Sequence, residues 1–471
     1  TFGHGECSFE DYGAFGLSDI ARELAREGYV NARIDLAGEA QIPQDCAVIV
    51  VAGAKSEFDH YRDWSLAQMD VPSKENGNDV RLHYDMTKPL HGPYLTNPAS
   101  DGMTVSMVSR EACAMGIEYR AKGTEEWTRE WLTTYGMLDY TRRNHSFHLK
   151  GLKPATEYEY RFVCTSSRYL TAYFFEVVGR DTWSFRTLDP KSDTLKAFVT
   201  ADIHGSFRLN LDFLYGRTGV ADADLYILLG DNVEDSMNQP EFYITTGYLD
   251  DICRLWGPSK PTMFVRGNHD SWGVHAADGW ATWFPRADAK GYYTIRRGNA
   301  LFICFDMPQE YNTRGVGSTV ALQYCAEQLA WLKALKRTDK WKTATWRIGC
   351  CHYGTRTGND GMFTRFRETF GDELNEKGNG LDLMLCGHEH YYARSDAHST
   401  EIVHNTKYDS DKQKAKPRTF KNLSDKWNFT EVCGASPEGS ILEIKGNELT
   451  FTCCDWRQKG QPPLDKFTLR K

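Results

Sequence analysis

The 471-residue chain has no apolar run approaching the roughly 20 residues that cross a bilayer. It also has no basic run or basic-aromatic stripe of the kind that binds nucleic acid. Its net charge of −8 would repel a polyanion outside a specific site, which disfavours a nuclease. No Cys-x-x-Cys zinc knuckle occurs, and the 13 cysteines are odd in number. Many of them lie in apolar strand-like runs such as Ile303-Cys304-Phe305 and Gly349-Cys350-Cys351. The neighbours Cys350-Cys351 and Cys453-Cys454 cannot readily bridge to each other, so the thiols read as small core residues and lean toward a reducing compartment. The opening Thr1-Phe-Gly-His-Gly-Glu has neither an initiator Met nor a basic-then-apolar leader, compatible with a removed leader or a fragment. Charged residues at 25% suit an ordinary soluble protein, and the length allows two or three domains with a large core.

What is present is one pattern repeated. Residues 198–204, Phe-Val-Thr-Ala-Asp-Ile-His, read as a buried strand that ends in Asp202 and His204, at the kind of exit where open α/β sheets place ligands. Residues 225–229 end in Gly230-Asp231-Asn232, and residues 263–265 lead into Arg266-Gly267-Asn268-His269-Asp270. Residues 346–351 finish at His352, and residues 381–386 at Gly387-His388-Glu389-His390. Every strand thus stops on a carboxylate, carboxamide or imidazole, the ligand types of a borderline divalent metal. Any single one of these histidines could equally be a satisfied core residue; five ordered blocks together are hard to read as structural.

In that order the blocks resemble the full signature of the calcineurin-like metallophosphoesterases, over residues 195–471. The resemblance implies two divalent metal ions, Mn, Fe or Zn, in a four-layer α/β/β/α sandwich. One ion would be held by Asp202, His204, Asp231 and His390, and the other by Asp231, Asn268, His352 and His388. Asp231 would bridge, having two oxygens to share, while neutral Asn268 limits negative charge where an anion must dock. His269 would protonate the leaving oxygen or stabilise the transition state, oriented by Asp270, and metal-bound hydroxide would be the nucleophile acting on a phosphomonoester or phosphodiester. His275, Tyr353, Arg356 and Arg394 lie near motif ends, and an ordinary packing or surface role is the expectation for each; Glu389 reads as a support rather than a ligand.

Departures narrow the class. Purple acid phosphatases place a tyrosinate three residues after the Gly-Asp aspartate, where this chain has Glu234, so no purple colour is expected. Phosphoprotein phosphatases show Gly-Asp-x-Val-Asp-Arg, and Gly230-Asp231-Asn232-Val233 begins that way, yet Glu234-Asp235-Ser236 lacks the arginine. A phosphoprotein phosphatase is therefore the alternative enzyme. A metal-containing scaffold that has lost catalysis is the alternative from another class, disfavoured by the complete ligand set.

Upstream, residues 81–188 show short alternating strands at residues 103–108, 115–119, 145–149, 157–164 and 182–187. The turn Gly151-Leu152-Lys153-Pro154-Ala155-Thr156 resembles one in the fibronectin-III-like domain that precedes the catalytic domain of purple-acid-phosphatase-like enzymes. Tyr158, Tyr160 and Phe162 would share one strand face and pack its core. That resemblance points to an extracytoplasmic location, periplasmic or secreted, against the indication of the cysteines. Residues 1–80 read as a β/α segment of unknown role, with a helix at residues 17–27 and strands at 30–36 and 47–52. This segment resembles the opening of the auxiliary domain of gliding-motility-type ABC transporters but breaks off too early to complete its sheet. In the last domain a helix at residues 322–335 is expected to bury Leu322, Cys325, Leu329 and Leu332, and a hairpin should turn at Gly446-Asn447.

Overall fold

The computed structural model describes residues 87–166, 175–205, 211–216, 219–233, 237–307, 316–405, 419–434, 438–455 and 462–471. The chain divides into two units, residues 1–81 and 82–471, and the described residues belong to the second. The expected β/α segment at residues 1–80, and the slot of Glu234, lie outside the described residues.

The first half of the second unit is two antiparallel sheets. One has the order His91–Thr96, Gly102–Val108, Asn144–Lys150; the other runs Trp183–Arg186, Glu157–Ser166, Ala114–Ala121, Thr128–Trp131, with Phe175–Val178 also on Glu157–Ser166. Period-2 alternation sends Met103, Val105 and Met107 from one sheet and Tyr158, Tyr160 and Phe162 from the other into a single core. The Pro154 turn is closed by the Lys153 N–H, which donates to Tyr158 Oη at 2.9 Å, so the aromatic strand and its turn brace each other.

The second half is a mixed α/β domain built on two larger sheets. The six-stranded sheet runs Thr262–Phe264, Leu225–Leu228, Thr194–Thr200, Glu438–Lys445, Glu448–Asp455, Asp465–Arg470. The seven-stranded sheet runs Tyr293–Arg297, Ala300–Cys304, Trp346–Cys350, Leu383–Cys386, Thr430–Cys433, Tyr392–Ser395, Val403–Asn405. Along Thr194–Thr200 the alternation is direct. Leu195, Ala197 and Val199 join a core shared with Phe302, Ile348 and Leu385 of the other sheet. Phe198 turns instead to a second core with Tyr226, Leu249 and Trp280. A third core sets Leu301, Ile303 and Met384 against Phe363, Phe366 and Phe370 of helix Gly361–Leu374. Strands buried on both faces need continuous apolar sequence, and these have it.

The hairpin turns at Gly446, whose φ of 58° suits glycine at the first central position. The long helix is Val316–Leu335, longer than expected, and its buried stripe differs from the one read in the sequence. Leu322 is 54% exposed, whereas Ala321, Cys325, Gln328, Leu332 and Leu335 are buried. Gln328 is on the inner face because its amide bonds both backbone groups of Asp306, at 3.0 and 2.6 Å, a polar partner that hydrophobic periodicity does not reveal. All eleven cysteines among the described residues are free, nine of them buried, as their apolar contexts imply.

The sandwich is held against the α/β domain by its edge strand and a few polar anchors. Tyr94 Oη donates to the Trp283 carbonyl at 2.6 Å and Tyr160 Oη to the Pro258 carbonyl at 2.8 Å. Arg143 meets Glu241 in a two-pronged pair at 3.0 and 2.9 Å.

Candidate metal centre

The functional loops all leave the C-terminal ends of parallel strands. Thr194–Thr200, Leu225–Leu228 and Thr262–Phe264 run parallel and deliver Asp202 and His204, Asp231, and Asn268. Trp346–Cys350 and Leu383–Cys386 run parallel in the other sheet and deliver His352, then His388 and His390. Parallel packing puts these exits side by side, where open α/β sheets bind ligands.

Two sets of side chains could each hold a metal ion: Asp202, His204, Asp231 and His390, and Asp231, His352 and His388, with donor atoms in each set within 4.8 Å of one another. Asn268 completes the second, its Oδ1 lying 3.1 Å from His352 Nε2 and 2.8 Å from His388 Nδ1. Asp231 belongs to both. His204 Nε2 stands 2.9 Å from His390 Nε2, and His352 Nε2 is 3.3 Å from Asp231 Oδ2. Imidazole nitrogens and carboxylate oxygens converging this closely are the donor set of a divalent cation, and the residues fit one.

The backbone is strained where these candidate ligands sit. Asp202 (φ 54°), His204 (46°), Asp231 (52°), His388 (78°) and His390 (51°) all occupy the left-handed region, at a cost of about 1–3 kcal/mol each that only a site demanding that aim repays. The motif glycines exist for close approach. A Cβ on Gly230 would come within 2.6 Å of His352 Nδ1, one on Gly387 within 2.7 Å of Asp202 Oδ2, and one on Gly267 would fall on Asp231 Oδ1.

Electrostatics point the same way. Burial by itself would raise Asp231, but His352, His269 and His204 around it hold its carboxyl far below the ordinary range. Asp202, also buried, is likewise lowered, by His390 and His352. Burial would lower His352, yet the charges of Asp231 and Asp202 push it up to about 9. A buried pocket that forces a proton onto an imidazole is one that calls for positive charge.

Supporting contacts fix ring orientations. His352 Nδ1 donates to the Leu229 carbonyl at 2.8 Å, leaving Nε2 toward the centre. The backbone N–H of His388 donates to both oxygens of Asp202, at 3.0 and 2.9 Å. Asp270 is fully buried and receives the backbone N–H groups of Gly267 at 2.9 Å and of Asn232 and Val233 at 3.2 Å, tying two ligand loops together. Burial and then the Asp231 charge push Asp270 up to about 6. His269 lies at the open side of the site, its Nε2 4.0 Å from Asp231 Oδ2 and its ring 4.2 Å from that of Trp272.

The residues near motif ends have other work. Arg356 is fully buried against Glu431, Ser395 and the Phe429 carbonyl. Arg394 pairs with Asp465 at 2.6 Å, and exposed His275 with Asp278 at 3.1 Å. Tyr353 is buried with its hydroxyl 3.4 Å from Asn268 Oδ1, and Glu389 accepts the Asn359 N–H at 3.0 Å. Sequence reading missed Asp360, whose Oδ2 lies 3.0 Å from His388 Nε2; as the residue before a helix it looks like an ordinary cap.

Residues 195–392 match the family model of calcineurin-like phosphoesterases. Over those residues the chain is similar to a calcineurin-like phosphoesterase domain. It is a metal-dependent phosphoesterase. Among solved structures, that of PhoD superposes with a TM-score of 0.50 at 13% identity, covering 79% of this chain and 86% of PhoD, a likeness of fold. The phosphopantetheinyl hydrolase of Mycobacterium tuberculosis aligns over 41% of this chain and 82% of its own at 13% identity, with a TM-score of 0.27. No curated protein matches the chain. No helix among the described residues is long and apolar enough to cross a membrane.

Proposed function

We propose that this phosphoesterase works with two divalent metal ions, Mn, Fe or Zn, and hydrolyses phosphomonoesters or phosphodiesters. The observation that carries the reading is the position of Asp231, buried and common to both candidate metal groups, with Oδ2 3.3 Å from His352 Nε2 of one and 3.9 Å from His204 Nε2 of the other. Asp202, His204 and His390 would complete one site, and Asn268, His352 and His388 the other. When bound, the metals supply an activated water and neutralise charge on the phosphoryl oxygens. His269 holds a proton at the solvent side, where a leaving oxygen can take it, and its backbone N–H donates to Asp231 Oδ1 at 2.9 Å, so its position follows that of the bridging carboxylate. Asp270 keeps the loops carrying Asp231 and Asn268 in register.

Around that centre this reading takes a four-layer α/β/β/α domain and a fibronectin-III-like sandwich that buttresses it, in a protein acting outside the cytoplasm. Cell fractionation tests the location.

The deciding experiment strips metal with a chelator, reloads Mn²⁺, and follows paired aryl phosphomonoester and phosphodiester substrates. Turnover that vanishes with the chelator and returns at two ions per chain supports the reading, and the preferred ester names the substrate class. Protein that binds two ions yet turns over neither ester would favour a metal-containing scaffold.

A further inference from the structure

Asp360 is placed to do two things at once. It precedes helix Gly361–Leu374 with extended backbone (φ −71°, ψ 170°), and its Oδ1 accepts the N–H groups of Met362 at 2.7 Å and Phe363 at 3.1 Å. That is an N-cap. The other oxygen, Oδ2, lies 3.0 Å from His388 Nε2. A carboxylate can only accept there, so Nε2 carries the hydrogen and the lone pair of Nδ1 faces inward, 2.8 Å from Asn268 Oδ1 and 3.3 Å from His352 Nε2. The contrast with its neighbour in the Gly-His-x-His block is plain, since His390 turns Nε2 toward Asp202. Tyr353 and Phe363 wall the His388 ring, with centroids 4.9 and 6.1 Å away, so it has little freedom to swing.

We propose that Asp360 is a positioning residue: it selects the tautomer and orientation of His388 and thereby sets the affinity of the metal site formed by Asp231, Asn268, His352 and His388. The inference rests on the two-metal reading above. The helix cap supplies the rigidity. One oxygen is clamped by two amides at the helix start, so the other is presented to the imidazole from a fixed point rather than from a mobile loop. Placing a carboxylate behind a ligating imidazole also raises its basicity, and loss of such a partner costs roughly 10- to 100-fold in metal affinity.

The two duties can be separated. Serine caps helices about as well as aspartate but is too short to reach His388, whereas alanine removes both contacts. Mn²⁺ titration of the metal-free full chain by calorimetry, with thermal unfolding alongside, compares wild type, Asp360→Ser, Asp360→Asn and Asp360→Ala. Asp360→Ser is expected to keep the wild-type melting temperature and the affinity for one ion while the other weakens by roughly 10- to 100-fold. Its turnover should recover at high Mn²⁺. Asp360→Asn, which keeps an oxygen for the imidazole without the charge, should fall between. If Asp360→Ser binds both ions as the wild type does, or if both sites weaken equally in step with lost stability, Asp360 is a cap and the proposal fails. A wild type that binds a single ion overturns the two-metal reading itself, a result distinct from a wild type that binds two and a serine variant that matches it.

Discussion

His145 in the sandwich and His352 in the phosphoesterase domain are both buried, and they are driven in opposite directions. His145 faces Ser109 Oγ at 3.0 Å and Cys113 Sγ at 3.9 Å, and burial, helped by the charge of Arg142, lowers it to about 4. His352 meets equal burial, but the carboxylates of Asp231 and Asp202 near it push it up to about 9. The residue type and the depth are the same; the difference is whether charge has been brought to the same place. The backbone repeats the lesson. In the sandwich the left-handed residues are turn residues such as Asn97 and Ala155, while in the α/β domain five of them are candidate ligands. A core histidine accepts its surroundings, whereas a ligand's surroundings are strained to aim it.

The comparison is broken most strongly at its acidic centre. Asp231→Asn removes the charge common to both metal groups, and turnover of either ester should fall below detection, with fewer than two ions per chain by elemental analysis. His269→Ala should leave metal content intact and lower kcat by roughly 10²–10⁴-fold, because the proposed proton donor is lost and no candidate ligand is. Wild-type kcat in that variant would remove His269 from the chemistry. Gly267→Ala places a methyl on Asp231, and a destabilisation of about 1–3 kcal/mol with weakened metal binding is expected from chemical unfolding and titration.

A pH series sharpens the other side. The folded state binds its proton at His145 only near pH 4 and the unfolded chain at about 6.5, so the unfolded state holds more protons between them and stability rises with pH across that window. Stability present above about pH 6.5 is therefore lost as pH falls toward 4, by at most about 3 kcal/mol from this group. His145→Gln should flatten that part of the profile in urea unfolding; an unchanged slope would show that His145 is not the group responsible. The smallest effect is expected at the domain contact, where Arg143→Ala breaks a partly exposed pair with Glu241 and should cost less than about 1 kcal/mol.

Much of this was readable before the fold was seen. Strand ends announce themselves because apolar runs stop at Asp, Asn or His, and the Gly446 hairpin and the Tyr158, Tyr160, Phe162 face follow from local rules. Gln328 was not readable, since an inward amide satisfied by Asp306 interrupts the apolar stripe. Nor was Asp360, which is 28 residues from the histidine it contacts.

What the sequence determined by itself is the inventory: which side chains can ligate, which strands they terminate, and which glycines leave room. Those are local properties, written in residue type and spacing. Only the tertiary structure decided that five loops from two sheets converge, that Asp231 lies between two donor groups, and that His388 turns one nitrogen inward while Asp360 takes the other. Those depend on distances between residues far apart in the chain, and no local preference encodes a distance across a core.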